Sequence, residues 1–578
     1  MASDEDGFRA PRFDGEDVSP TTERELRGWY STGLAAEIFA VCGVGSFAPV
    51  TLEQLARESG VLRSDGKTPC IQPKESAGGR LAHLLVRVIT SRDDDEDSQC
   101  IVRPFGRDMA TSSFALYTFS IAVFVQALVL ISFSPVADYG THRKRLVLMF
   151  AFTGAAATMA MVLVWPQVYL LGSLFIIVGV VCLGSTFVLL NAFLPLLAAR
   201  HPSVQTQANG SAAQLPKLDT TSPELRLSTQ ISAKGVGLGY AAAVSVQILS
   251  ILLLVLLKKA NFASESTPLR FVLLLVGTFW FTLTLPGALW LRNRPGPSLR
   301  ISTPWSSRLP VAFQYLAFAW RSVWNTVKTA TKLRQTWVFL IAWFLLSDAI
   351  ATVSGTAILF ARTELHMGTI AIALLSITAT ASGMAGAFAW PRISKTFGSE
   401  TKYTILCCMI MMEIIPLYGL LGFIPFIKSW GVLGLQQAWE IYPLGFVHGF
   451  LMGGLSSYCR AFYGEIIPPG SEAAFYALMA ITDKGSSAVG PAIVGAIVDA
   501  LGTIRPAFGF LAILIAMPMP LIYIIDVRRG REEAAALSKH LGYDAGGITM
   551  NDYEREDGNE AGEGLLRQPA DDGDEDSR

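Results

Sequence analysis

The stretch "VYLLGSLFIIVGVVCLGSTFVLL" (168–190) decides the fold class. It is one unbroken apolar run without a charge, and an α-helix needs about 20 such residues to cross a hydrocarbon core of roughly 30 Å. A strand of a membrane barrel would alternate apolar and polar residues over about 10 positions, and this run does not alternate. Working outward, comparable runs lie near 30–50, 112–136, 146–165, 231–257, 270–291, 336–361, 369–390, 403–427, 439–462, 474–499 and 504–526. With 168–198 they make twelve expected crossings of an all-α membrane protein. The composition agrees: of 578 residues 51% are hydrophobic and only 16% charged, against about 25% charged in a soluble domain, and the mean hydropathy is +0.42.

Several functions are disfavoured by the same reading. A net charge of −1 makes no case for nucleic acid, and the seven cysteines show no metal-ligand spacing. No Gly-x-x-x-x-Gly-Lys-Ser/Thr loop is present to cradle ATP phosphates, and no Gly-x-Ser-x-Gly elbow to activate a lipase serine. No catalytic residue, cofactor or metal is expected. The first 28 residues are polar and acid-leaning without a basic n-region, so the first span is expected to serve as the membrane-entry signal.

Lys and Arg in short loops set orientation. They gather in "THRKR" (141–145), in the connection holding Arg292, Arg294, Arg300, Arg308, Arg321, Lys328, Lys332 and Arg334, at Arg392, Lys395 and Lys402, and in "RRGR" (528–531). Both termini are therefore expected in the cytoplasm. The resulting plan is a cytoplasmic tail (1–28), a first half (29–291) with a lumenal loop at 51–110, a cytoplasmic central loop (292–334), a second half (335–526), and an acidic tail (527–578) expected to be disordered.

The halves echo one another. "ISAKGVGLGY" (231–240) resembles "ITDKGSSAVG" (481–490), "NAFLP" (191–195) resembles "RAFYGEIIP" (460–468), and "AAEIFAVCGVGS" in span 1 lies on "LSDAIATVSGTA" in span 7, pairing Glu37 with Asp348. The matches fall six spans apart in the same order. Two six-helix halves related by an axis along the membrane normal, with a site between them near the midplane, describe the major facilitator fold. The signature of that superfamily between spans 2 and 3, Gly-x-x-x-Asp-basic-x-Gly-basic-basic, is present in degenerate form as "SPVADYGTHRKR" (134–145), where Asp138 and Arg143 match and Ser134, Tyr139, Thr141 and His142 depart. The second copy, "GAFAWPRISKTFGSETK" (386–402), lacks the Asp. A carboxylate there can bond the N-terminus of a neighbouring helix and a nearby Arg, latching a gate in one state; the bland alternative is a positive-inside loop with a stray Asp.

A narrower likeness runs through "RGWYSTGLAAEIFAVCGVGSFAPVTLEQLARESG" (27–60), "NAFLPLLA" (191–198), "ISAKGVGLGY" (231–240) and "FYALMAITDKGSSAVGP" (475–491). Together these resemble the autophagy-related protein 22 family of fungi. The resemblance implies a multi-pass vacuolar membrane transporter that returns leucine and other neutral amino acids to the cytosol after autophagic breakdown.

Ionisable residues inside a span cost about 2.5–3.5 kcal/mol on insertion scales and normally face a cavity or a partner. Glu37 and Asp348 are the leading candidates for binding substrate or a coupling proton. For Glu37 an ion pair with Lys234 or Lys484, or exposure near the interface, remain open. Lys234, Arg460 and Lys484 lie towards span ends, Asn191 stands at the position matching Arg460, and Glu413 and His448 have no counterpart. A neutral amino acid is a zwitterion, so it needs a carboxylate for its ammonium and a cation or helix N-terminus for its carboxylate. A non-transporting sensor or scaffold, or a lipase-like factor in autophagic body breakdown, is the rival reading. Cys70 and Cys100 share the lumenal loop, which passes an oxidising compartment, and are a disulfide candidate. The sequon at Asn209 is expected to stay unglycosylated in the cytoplasm.

Overall fold

The computed structural model describes residues 17–62, 67–70, 100–106, 108–204, 223–259, 264, 266–296, 320–321, 324, 326–365, 367, 369–486, 489–501 and 503–540. The Asn209 sequon, most of the first long loop, much of the central loop and the tail beyond 540 lie outside them.

Thr22 starts the first helix, α1 (Glu23–Ile38): its hydroxyl accepts the Glu25 N–H at 3.3 Å, and Glu23 and Glu25 occupy the first turn, where the helix dipole favours acids. Two residues after Glu37 the helix widens into a π-helical segment, Phe39–Phe47, a form frequent at functional sites. Phe39 stacks on Trp280 with centroids 4.6 Å apart, and its ring lies so close to Gly43 that a Cβ there would sit 2.3 Å from it. Pro49 in the first turn then opens α2 (Ala48–Ser59), whose Thr51, Leu52, Leu55 and Ala56 are buried. The lumenal loop expected from residue 51 thus begins as helix, because its apolar residues recur at helical spacing. Beyond it a three-stranded antiparallel sheet joins Val61–Leu62 (β1), Cys100–Val102 (β2) and Met109–Ala110 (β3), with Val61 opposite Ile101 and Ile101 opposite Ala110. Cys70 and Cys100 form a disulfide at the sheet with Cα atoms 5.8 Å apart, inside the span a disulfide bridges.

The bundle continues through α3 (Thr111–Ala137), α4 (His142–Ala160), α5 (Tyr169–Ala199), α6 (Pro223–Lys259) and α7 (Ser266–Trp290). After the central connection come α8 (Arg334–Thr363), α9 (Thr369–Thr396), α10 (Thr401–Met412), α11 (Ile414–Leu421), α12 (Ile441–Glu465), α13 (Glu472–Ser486), α14 (Val489–Leu501), α15 (Ala507–Ala516) and α16 (Met519–Ile524). Nine helices among the described residues are long and apolar enough to cross a membrane. Helices α9, α12 and the pair α13 and α14 cover the other three apolar runs of the sequence.

Close packing needs small residues. A Cβ on Gly386 of α9 would lie 1.9 Å from the Phe450 carbonyl of α12, and one on Gly453 would lie 2.0 Å from the Gly383 carbonyl. Helix α6 joins the two parts of the chain: it packs against α1 and also against α9 and α12.

The tail expected to be disordered from 527 instead opens as α17 (Val527–His540). Asp526 Oδ1 accepts the N–H groups of Arg528 and Arg529, Ala534 is buried, Gly530 packs on Ile466, and Arg531 reaches Glu465 at 3.4 Å. Its own cap and a small apolar face against α12 order the segment, which composition alone cannot signal.

Candidate functional site

Two constellations organise the bundle. The first lies where α3 ends. Asp138 follows the last turn of α3 and is 2% exposed. Its Oδ1 accepts from Arg143 Nη2 at 2.6 Å and from the Ala473 N–H at 2.9 Å, while Oδ2 accepts the Ala474 N–H at 3.0 Å. Ala473 and Ala474 are in the first turn of α13, so one carboxylate joins an Arg and a helix N-terminus across 335 positions of sequence. Arg143 also donates to Glu472 at 3.1 Å, and both are buried. Sequence reasoning missed Glu472, although "PPGSE" before an apolar run is a helix-start signal. A second closed pair at the same end of the first part also went unnoticed: Arg294 Nη2 and Glu25 Oε2 meet at 2.8 Å, and Arg294 Nη1 donates to the Ser19 carbonyl at 2.9 Å. Truncating one partner of such a buried pair typically costs about 3–5 kcal/mol.

The second constellation is deeper. Glu37 on α1 is half-buried and lies against Gly239 of α6, whose Cβ would come within 3.0 Å of it. Arg460 on α12, also half-buried, is within electrostatic reach of Glu37. Tyr240, next along α6, feels both charges and stands beside Ser456. Tyr476 on α13 backs Arg460, donating to its carbonyl at 2.8 Å. Among the described residues neither the Glu37 carboxylate nor the Arg460 guanidinium is closed by an ion pair within 4.0 Å. Glu37 and Arg460 were readable as charges in spans; Tyr240, Ser456 and Tyr476 carried no signal beyond their type.

The other candidates are placed elsewhere. Asp348 is 3% exposed, and its Oδ1 accepts the Gly490 N–H, in the first turn of α14, at 2.9 Å. Lys234 is exposed with its ammonium 5.3 Å from the Tyr30 ring centroid. Lys484 is exposed and pairs with Asp483 at 3.2 Å. Neither lysine therefore forms the ion pair with Glu37 that the sequence left open. Asn191 has a buried Oδ1 without a hydrogen-bond partner, as does Glu413 at Oε1, and His448 Nε2 lies 3.3 Å from Ser354 Oγ. No group of three or more metal-ligating side chains occurs among the described residues.

A helical bundle with unpaired opposite charges inside it and a closed ionic cluster at one end is a transporter's arrangement, and solved structures share the fold. The human organic anion transporter MFSD10 (TETRAN) superposes with a TM-score of 0.52 at 12% identity, over 86% of this chain and 98% of that one. The major facilitator proton:xylose symporter XylE gives 0.50 at 12% identity over 89% and 99%. The chain therefore has the major facilitator fold. Residues 21–535 match the family model "Vacuole effluxer Atg22 like", and the chain belongs to that family. It is 55% identical to autophagy-related protein 22 of Botryotinia fuckeliana (strain B05.10), covering 97% of this chain and 98% of the relative. It is also 55% identical to autophagy-related protein 22-2 of Aspergillus niger, covering 93% and 95%. The chain is accordingly a vacuolar membrane protein with a transport role in autophagy.

Proposed function

We propose that the protein exports neutral, leucine-like amino acids from the vacuole lumen to the cytosol, by alternating access of two six-helix halves that together cross the membrane twelve times. The observation that supports this most is that Glu37 and Arg460, opposite charges from the two parts of the chain, lie within electrostatic reach with no ion pair closing either. A zwitterion without side-chain charge adds no net charge to a site balanced in this way. Both termini are cytoplasmic in this reading, which puts Asp138, Arg143 and Glu472 at the cytoplasmic gate. Their bonds to the start of α13 hold that gate shut, so the state described is closed to the cytosol and poised to load from the lumen. Acid in the lumen supplies the drive: a proton moving down the gradient releases about 1.4 kcal/mol per pH unit.

The test is uptake of labelled leucine by vesicles reconstituted with the purified protein. Saturable uptake that an outside excess of leucine displaces is expected. Vesicles that behave like protein-free ones would leave a sensor, a scaffold or a lipase-like factor as the reading of this fold.

A further inference from the structure

The charge site poses a problem of coupling. A carboxylate that holds the ammonium of the substrate cannot hold a proton at the same time, so ammonium and proton would compete at Glu37. Competition drives exchange of one against the other, which would pull amino acid into an acid vacuole and not out of it. Co-transport out of an acid compartment requires that proton and substrate favour one another's binding.

The arrangement of Glu37 and Arg460 supplies that cooperation. Glu37 and Arg460 lie within electrostatic reach but share no ion pair, in contrast to Asp138 with Arg143 at 2.6 Å and Glu25 with Arg294 at 2.8 Å. Each head group is thus the other's principal counter-charge, and neither is closed by an ion pair. We propose that protonation of Glu37 frees Arg460 to receive the substrate carboxylate, so that a proton and an amino acid load together at one site. The inference rests on the transport reading above and names its order of events. The proton comes from lumenal water and returns to cytosolic water after the gate opens, leaving Glu37 ionised and Arg460 balanced again. Tyr240, which feels both charges, stays in the site throughout, and its ring face suits the substrate ammonium.

The surroundings leave Glu37 and Arg460 as the responsive pair. Of the helices packed against α1, α5 carries only Tyr169 and Cys182, and α7 only Arg270, which donates to the Val164 carbonyl far from Glu37. Helix α6 brings Tyr240 to Glu37, while its Lys234 stands over Tyr30. The π-helical turn brings Cys42, whose thiol donates to the Ala243 carbonyl at 3.3 Å. On α1 itself Tyr30 and the charged residues Glu23 to Arg27 lie two turns or more before Glu37.

The experiment is equilibrium binding of labelled leucine to the full chain in nanodiscs at about pH 5.5 and about pH 7.5, where one linked proton can change affinity up to about tenfold per pH unit. Two fragments of leucine compete: 4-methylpentanoate, which keeps the carboxylate, and 3-methylbutylamine, which keeps the ammonium. Leucine is expected to bind at least about tenfold more tightly at the lower pH, with 4-methylpentanoate displacing it there and the amine failing to. Glu37→Gln, which imitates the protonated acid, should bind leucine equally at both pH values and still yield to the carboxylate fragment. The wild-type comparison stands without any variant, should Glu37→Gln fold poorly. Tighter binding at the higher pH, with displacement by the amine, would identify Glu37 as the ammonium ligand and overturn the proposal while sparing the transport reading. Absence of leucine binding at both pH values would overturn both.

Discussion

Glu37, at the end of α1, and Asp348, halfway along α8, are paired when the two parts of the sequence are laid on one another, yet the fold gives them different surroundings. Asp348 is closed: it is buried, and its oxygen satisfies the first turn of α14. A Cβ on Gly490 would lie 2.0 Å from Thr352 Oγ1 and 3.0 Å from Asp348 Oδ1, so α14 packs directly against α8 at the carboxylate. Glu37 is held by no hydrogen bond or ion pair among the described residues, and Arg460 of the other part of the chain lies within electrostatic reach of it. The difference lies in what each helix meets. Beside Asp348 the Gly490 N–H needs an acceptor and the carboxylate supplies it, whereas the residue aligned with Gly490 in the first part is Tyr240, in the middle of α6, where no backbone donor is free. Two carboxylates paired by sequence alone thus need not share surroundings.

This contrast can be tested from the strongest expected effect to the weakest. Glu37→Gln should abolish accumulation driven by a pH gradient, which for two pH units would reach roughly a hundredfold, while exchange of leucine across the membrane persists; normal accumulation in reconstituted vesicles would make Glu37 as structural as Asp348. Asp138→Asn removes the charge that holds Arg143 but keeps one acceptor for α13. It should slow turnover several-fold with leucine affinity little changed, as measured by initial rates beside equilibrium binding, because a latch biases gate states without touching substrate. Wild-type turnover would show Asp138 to be a loop charge. Asp348→Ala should lower the thermal stability of the purified protein by about 1–2 kcal/mol, the scale of a lost helix cap. Asp348→Asn, which keeps an oxygen for the Gly490 N–H, should melt within about 0.5 kcal/mol of wild type and accumulate leucine normally. Loss of accumulation in that last variant would move the coupling role from Glu37 to Asp348.

Much of the fold was legible because apolarity adds up along the chain: a run such as 168–190 announces its helix without reference to any other segment, and Tyr169–Ala199 is the result. The closed ionic cluster was legible in part, since Asp138 and Arg143 stand in a recognisable spacing, but their partner Glu472 lies 329 positions from Arg143. Helix α17 and the helical start of the long loop went unread for a related reason. Each is ordered by a few small or apolar side chains against a distant surface, which neither composition nor charge density records.

By itself the sequence determined the helical membrane class, the family and the roll of charges that had to find partners, since burial energy and short motifs are properties of contiguous residues. Only the tertiary structure decided which charges are closed and which are open. Asp138 is held by α13, Asp348 by α14, Lys484 by its neighbour Asp483, and Glu37 is left facing Arg460. Whether a carboxylate is structural or free to act depends on donors that the fold brings from hundreds of residues away, and a linear reading holds no distances between them.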